Sequence, residues 1–216
     1  MKSWGRSLWV AVVIAAVCGS ANNSFGQGRL SELPPWMRAN ELTGDLVLHL
    51  PGGGDFDVFE AAYGAELGYR YWFTDVLGVG LGVGIENWSA DGMSRNWGGR
   101  VKGDMLVVPL SLGGYVRALD LGWAELIGYA AVEYGIVDSD VELEINGRVE
   151  TVKVDHSWDL RLGVELSVPL TPDLSLAAGV GHQFPIVKSD ASTPSGPLMD
   201  ADLQSFFFAI WVQLAF

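Results

Sequence analysis

The final twelve residues of the chain alternate strictly between two kinds of side chain. Counting back from the C-terminus, every second position is apolar, and this face comprises Phe206, Phe208, Ile210, Val212, Leu214 and Phe216. The positions between them are mixed and include polar groups such as Ser205 and Gln213. A period of two predicts a β-strand. A strand with one wholly apolar face needs an apolar partner for that face, which is either a second sheet or lipid.

The same alternation recurs seven times upstream, with polar groups and glycines on the face opposite the apolar one. We therefore predict an all-β protein, an eight-stranded antiparallel up-and-down transmembrane β-barrel. Its strands lie near residues 41–50, 59–71, 77–86, 105–117, 124–136, 158–168, 174–183 and 205–216.

The predicted connections alternate between long and short, as in outer-membrane barrels with short periplasmic turns and long outer loops. Residues 87–101 are expected to form a polar loop, and residues 185–202 another. Asn146-Gly147, between alternating residues, predicts a β-hairpin projecting beyond the membrane. Pro109 lies in the middle of the fourth strand, where proline cannot donate to the ladder, so a bulge is expected there.

The N-terminus reads as a secretory signal peptide, residues 1–26, with Lys2 and Arg6 preceding a short apolar run. A lipoprotein signal that uses Cys18, the only cysteine, is the alternative. Residues 27–40, with Pro34-Pro35, are predicted to be an irregular periplasmic arm, or a short plug. The barrel domain then spans residues 41–216, with both termini in the periplasm and the long loops outside the cell.

A soluble up-and-down barrel of the lipocalin type would turn the apolar faces inward. Three features oppose it. Only 18% of the residues are charged, too few to cover its outer surface. An eight-stranded interior cannot hold the apolar residues of every strand. Aromatic residues also cluster at the strand ends, as in interfacial girdles; these are Tyr69, Tyr71 and Phe216 at one level and Phe59, Trp88, Trp158 and Phe184 at the other.

With lipid outside, the polar faces point into the barrel and form an interior charge network. Its predicted members are Glu66, Arg70, Glu86, Arg117, Glu125, Glu133, Asp159, Arg161 and Glu165, with Asp45, His49 and Glu60 nearer the outer mouth. Ion pairs that fill the barrel core are the simplest interpretation. Acids nevertheless outnumber arginines in this set, so the interior must take up protons, or hold water and cations. The glycines of the third strand leave room for large side chains opposite.

The mature chain resembles the small eight-stranded outer-membrane barrels, the OmpA-transmembrane/OmpX-like group, in architecture and in its terminal aromatic strand. In that group the barrel-assembly machinery reads the last strand. The resemblance implies such an assembly signal at Phe208, Ile210, Val212, Leu214 and Phe216. It also implies contact with outer-membrane lipid and lipopolysaccharide, and we expect a monomer.

The predicted function is a structural or surface-interaction role through the extracellular loops, without enzymatic activity and without a cofactor. A narrow cation-preferring pore is the alternative, and a lipid-modifying enzyme a third. His156 and Ser157 are neighbours on a strand and so point to opposite faces, which disfavours a catalytic pair. No Cys/His metal cluster is present. Removal of the signal lowers the 13 basic residues by two against 26 acidic ones, so nucleic acid is an improbable partner.

Overall fold

The structure is a computed structural model that describes residues 40–52, 58–94, 97–187, 189–198 and 204–216. Within these ranges the chain forms strands joined by turns. Their bounds are β1 (Asn40–Pro51), β2 (Ala62–Trp72), β3 (Leu77–Ser94), β4 (Gly99–Asp120), β5 (Glu125–Ile145), β6 (Arg148–Val154), β7 (Ser157–Pro169), β8 (Leu174–Val187), β9 (Ala191–Thr193), β10 (Gly196–Pro197) and β11 (Ser205–Ala215).

Eight of these strands close into an antiparallel ring in the order β1-β2-β3-β4-β5-β7-β8-β11. Closure comes from the pairing of β11 with β1, in which Leu46 lies opposite Ile210 and Trp211 lies opposite Asp45. Apolar residues thereby align with apolar ones on the outside, and polar or aromatic residues align inside. The predicted eight-stranded antiparallel barrel is confirmed.

The burial of β11 follows the alternation read from the sequence. Phe207, Trp211 and Gln213 point inward and are buried, whereas Phe208 and Val212 point outward and are about half exposed. The other barrel strands repeat this pattern, so a continuous band of Leu, Val, Ile and Phe side chains covers the outside of the ring. An exposed apolar band of this kind is the lipid-facing surface of a membrane barrel.

At one end of the barrel the strands are joined by short turns at residues 73–76, 121–124 and 170–173. At the other end β3, β4 and β5 run on beyond the ring. There β6 pairs with β5, β9 pairs with β6, and β10 pairs with β9. We call these the short-turn end and the extended end. The predicted loop at 87–101 is wrong, because the β3–β4 ladder continues from Trp88↔Met105 to Ser94↔Gly99.

The predicted hairpin at Asn146-Gly147 is confirmed, and it joins β5 to β6. Both residues have positive φ, 51° for Asn146 and 77° for Gly147. A two-residue turn of this conformation matches the right-handed twist of the flanking strands. Residues 185–202 are likewise not one loop, since β8 continues to Val187 and β9 and β10 form a small second hairpin.

The inner side of the extended end holds an apolar core of its own. It is built from Val58, Phe59, Ala62, Trp88, Ala90, Trp97, Val101, Met105, Val107, Val141, Leu143, Val152, Val154 and Ala191. Phe59 and Trp88 were expected in a lipid-facing girdle, and this is wrong: both are buried and their rings meet edge to face. Trp158 and Phe184 do lie on the exposed outer side.

Pro109 does not produce the expected bulge. The β3–β4 register is the same on both sides of it, at Val83↔Leu110 and at Glu86↔Val107, and only the pairs between them are missing. The proline therefore interrupts the ladder locally without inserting a residue. The irregularity of β4 lies instead between Arg117 and Leu119, on its β5 side.

The predicted signal peptide and arm lie outside the described residues, except for Asn40, which begins β1. The described part of the chain contains no helix long and apolar enough to cross a membrane.

Candidate functional site

All nine residues of the predicted charge network point into the barrel, and arginines organise them in layers. The central layer surrounds Arg161 of β7. Its guanidinium lies 2.6 Å from Glu66, 2.8 Å from Glu133 and 3.2 Å from Glu86. Arg161, Glu86 and Glu133 are almost completely buried. Three strands besides β7 are thus tied to one cation in the middle of the barrel.

The next layer towards the short-turn end centres on Arg70. Arg70 donates two hydrogen bonds to Glu165, of 2.6 and 2.8 Å, in the two-pronged geometry that suits a guanidinium and a carboxylate. Gln213 of β11 donates a third bond to Glu165 at 3.0 Å and accepts one from Ser167 at 2.6 Å. The Arg70 guanidinium also lies over the Tyr115 ring, 4.3 Å from its centroid. The buried Arg70–Glu165 pair in this layer therefore has its hydrogen-bonding groups satisfied.

Arg117 forms the layer nearest the short turns. It contacts Glu41 at 3.1 Å and Glu125 at 3.2 Å, and it lies 3.9 Å from the centroid of the Trp72 ring. Its side chain is 16% exposed, more than that of Arg70 or Arg161. Glu41 is a member of the network that the sequence analysis missed, although its inward position follows from the alternation of β1. Glu60, which was expected near the mouth, is exposed and lies outside the ring.

On the extended-end side of the Arg161 layer, the barrel brings together a histidine, a serine and a glutamate that sequence analysis did not connect. His49 Nδ1 lies 3.0 Å from Ser205 Oγ, and His49 Nε2 lies 3.0 Å from Glu86 Oε1. These are the residue types of a hydrolase triad, with the two ring nitrogens exchanged relative to the serine-protease arrangement. All three are fully enclosed, between Trp88 on one side and Phe207 on the other. No substrate can reach Ser205 Oγ in this arrangement.

The ninth residue, Asp159, is placed differently from the others. It is 1% exposed, yet no arginine contacts it among the described residues, and neither carboxylate oxygen has a hydrogen-bond partner there. It faces Glu133 across the β5–β7 ladder. Asp159 is therefore a buried carboxylate whose charge the described protein groups do not balance directly.

Little space remains between these layers. A cavity of about 40 Å³ lies beside Asp45, Glu66 and Arg70, and its walls include Tyr115, Tyr129, Phe207 and Trp211. That volume holds a few water molecules at most, since one molecule needs about 10–15 Å³. On the extended-end side of this cavity, the apolar core of the extended end covers the opening of the barrel. Within the described residues, the interior resembles a packed core more than a channel.

The five residues of the expected assembly signal, Phe208, Ile210, Val212, Leu214 and Phe216, all point outward from β11 or its C-terminal end. β11 is fully paired, with β1 on one side and β8 on the other. These side chains therefore form part of the lipid-facing band at the seam where the first and last strands close the barrel.

Neither a scan against models of protein families nor a search of curated protein sequences finds a match to this chain. Solved structures do match. The outer membrane protein OprG from Pseudomonas aeruginosa superposes with a TM-score of 0.60 at 16% identity, over 82% of this chain and 96% of OprG. A major outer membrane protein from Thermus thermophilus gives 0.52 at 18% identity, over 82% of this chain and 100% of that one. AlkL, solved by solid-state NMR in DMPC bilayers, gives 0.51 at 12% identity, over 83% and 90%.

At such low identities the likeness establishes the fold. The chain has the fold of the small outer-membrane β-barrel proteins, and the resemblance drawn from its sequence is confirmed at that level.

Proposed function

We propose that this protein is a non-conducting outer-membrane barrel whose lumen is closed by its own ion pairs, and that it acts through the extended end. The observation that carries the proposal is the Arg161 layer, where one buried guanidinium contacts carboxylates from three other strands. The barrel then serves as a rigid membrane anchor that supports the extended end, without enzymatic activity. The extended end faces the cell exterior, and the termini face the periplasm.

The chemistry of the extended end supports a surface role. Many of its apolar side chains pack inward, although Met93, Ile145 and Val149 are exposed, and its outward side chains are free to meet solvent or a partner. Most of the exposed charges are acidic, and they include Asp91, Asp104, Asp138, Asp140, Glu142, Glu144 and Asp155. Hydrogen bonds from Ser195 and Thr193 hold the pKa of the Glu150 carboxyl below its usual range, so that this group stays ionised. A paired β-structure presents these charges in fixed positions, as a loop would not.

The alternative of a cation-preferring pore relied on free acidic groups in the lumen. Glu66 and Glu133 are instead engaged by Arg161, and aromatic side chains occupy the remaining cross-section. A lipid-modifying activity would need Ser205 or another nucleophile to face lipid, and Ser205 is enclosed. Both alternatives therefore receive less support than the closed barrel.

Folded protein in a planar lipid bilayer is expected to show no steady conductance steps, because the described side chains of the ion-pair layers leave only a cavity of about 40 Å³ between them. Folding is verified beforehand by heat-modifiable gel migration, and an open porin in the same bilayer serves as the positive control. The variant Arg161→Ala removes the guanidinium of the central layer, and Arg100→Ala, at an exposed position, is its control. Cation-selective steps from the wild type, reduced by Glu133→Gln, would contradict the proposal and establish the pore.

We also propose that the outer face of β11 is read during assembly, and that the mature barrel is a monomer in contact with outer-membrane lipid and lipopolysaccharide. Phe216→Ser is expected to reduce the folded fraction recovered from outer membranes severalfold, while refolding of the purified chain into detergent changes little. Leu77→Ser is the matched control, since Leu77 is another outward apolar residue near the short-turn end. Equal losses for both variants would point to lipid contact alone and remove the assembly role.

A further inference from the structure

We propose that the barrel interior binds a divalent cation of the oxygen-preferring kind, Ca²⁺ or Mg²⁺, between Asp159, Ser157 and Gln183. This site goes beyond the surface role proposed above and does not depend on it. It lies above the Arg161 layer, on the inward face of β7 and its neighbour β8.

The three side chains converge because of strand register. Ser157 and Asp159 are two residues apart on β7 and so share its inward face. Gln183 of β8 pairs with Arg161, the next inward residue of β7, and is therefore a diagonal neighbour of Asp159. Ser157 and Gln183 both lie close to the Asp159 carboxylate. Neither contact, however, meets the distance and angle limits of a hydrogen bond. Glu133 stands opposite Asp159 on β5.

Four oxygen atoms at this position lack hydrogen-bond partners among the described residues: both carboxylate oxygens of Asp159, Ser157 Oγ and Gln183 Oε1. Each of the three residues is at most 3% exposed. An unpaired buried acceptor is costly, and a buried carboxylate without a partner is more costly still. Carboxylate, amide and hydroxyl oxygens are together the ligand set of a hard divalent cation.

The charges around the site favour the same occupant. The carboxylates of Glu66, Glu86, Glu133 and Asp159 are gathered near a single guanidinium, that of Arg161, with His49 beside Glu86. A divalent cation beside Asp159 offsets this excess without disturbing the Arg161 contacts. The described residues include no group of three His, Cys, Asp or Glu side chains arranged to hold a metal. The proposed site accordingly relies on one carboxylate with neutral oxygens and bound water.

The test compares full-length protein refolded in detergent with CaCl₂, with MgCl₂ or with EDTA. At a hundredfold excess over the dissociation constant, the cation is expected to raise the apparent Tm by roughly 5–10 °C. Asp159→Asn keeps the shape of the side chain but removes its charge, and it is expected to abolish the rise. Asp140→Asn, on the exposed acidic surface of β5, is the matched control and is expected to keep it.

Metal content supplies a second measurement, which does not rely on thermal unfolding. After removal of free ions, folded wild-type protein is expected to retain about one cation per chain, and Ser157→Ala less. Retention of Ca²⁺ rather than Mg²⁺, or the reverse, identifies the ion. The proposal is overturned if the wild type shows neither retained cation nor a cation-dependent Tm, or if Asp159→Asn keeps both.

Discussion

Replacing Arg161 with methionine is expected to lower the free energy of unfolding by about 3–5 kcal/mol, the loss typical of breaking a buried ion pair from one side. Methionine fills a similar volume but leaves Glu66, Glu86 and Glu133 without their shared cation. The guanidinium also lies 5.1 Å from the centroid of the Phe207 ring, and that contact is lost with it. The cost arises chiefly from the carboxylates left buried and unpaired.

The measurement is urea unfolding in detergent or lipid vesicles, followed by tryptophan fluorescence. Arg100→Met is the matched control, because the Arg100–Asp91 pair is exposed and screened by solvent, so its loss is expected to leave the urea midpoint nearly unchanged. Adding Glu133→Gln to Arg161→Met is expected to recover part of the loss, since one unpaired charge is then removed. An unchanged urea midpoint for Arg161→Met would show that the layer does not hold the barrel together.

The barrel could be predicted because the alternation of inward and outward residues that indicates it lies within each strand. Alternation over about ten residues indicates the inward and outward faces of all eight ring strands, and with them the inward position of Arg161, Glu66 and Glu133. Which carboxylate meets which arginine depends on the registers of several strand pairs at once. The alternation alone does not determine those registers.

The extended end was mispredicted for a related reason. Residues 87–101 contain charged and glycine residues that are typical of loops. Residues 87–94 nevertheless continue β3 and residues 99–101 begin β4, because each strand pairs with the other and β4 also pairs with β5. Trp88 was assigned to a lipid-facing girdle by its position near a strand end, although its even number places it on the inward face of β3. Parity was the more reliable signal there.

The His49–Ser205 contact joins residues 156 positions apart in the sequence. It exists because β1 and β11 are the first and last strands of a closed ring. Pairing of β1 with β11 brings His49 and Ser205 close together despite their separation in the sequence. The unpartnered state of Asp159 could not be read from the sequence either, because it depends on where every other inward polar group has found a partner.

Several inward glycines lie against a large side chain of a neighbouring strand, and this close packing leads to a second prediction. Gly163 lies beneath Tyr129, and Gly179 lies beneath Trp211. A Cβ atom at Gly179 would lie 2.5 Å from Trp211 Cη2 and 2.7 Å from the backbone oxygen of Val164. The tryptophan could shift only into a packed interior, and the backbone oxygen belongs to a paired strand of the barrel.

Gly179→Ala is therefore expected to lower the free energy of unfolding by about 1–3 kcal/mol, the range for overpacking a well-filled core. Gly128→Ala is the matched control, since Gly128 is also a barrel glycine but its Cβ would have no atom within 4 Å. The control is expected to be neutral or slightly stabilising, because alanine loses less conformational entropy than glycine in a strand. Urea midpoints and the near-ultraviolet circular dichroism of the tryptophans measure the difference. If the two variants behave alike, the close fit of Trp211 over Gly179 does not limit the packing of the lumen, and the interior is less tightly closed than proposed.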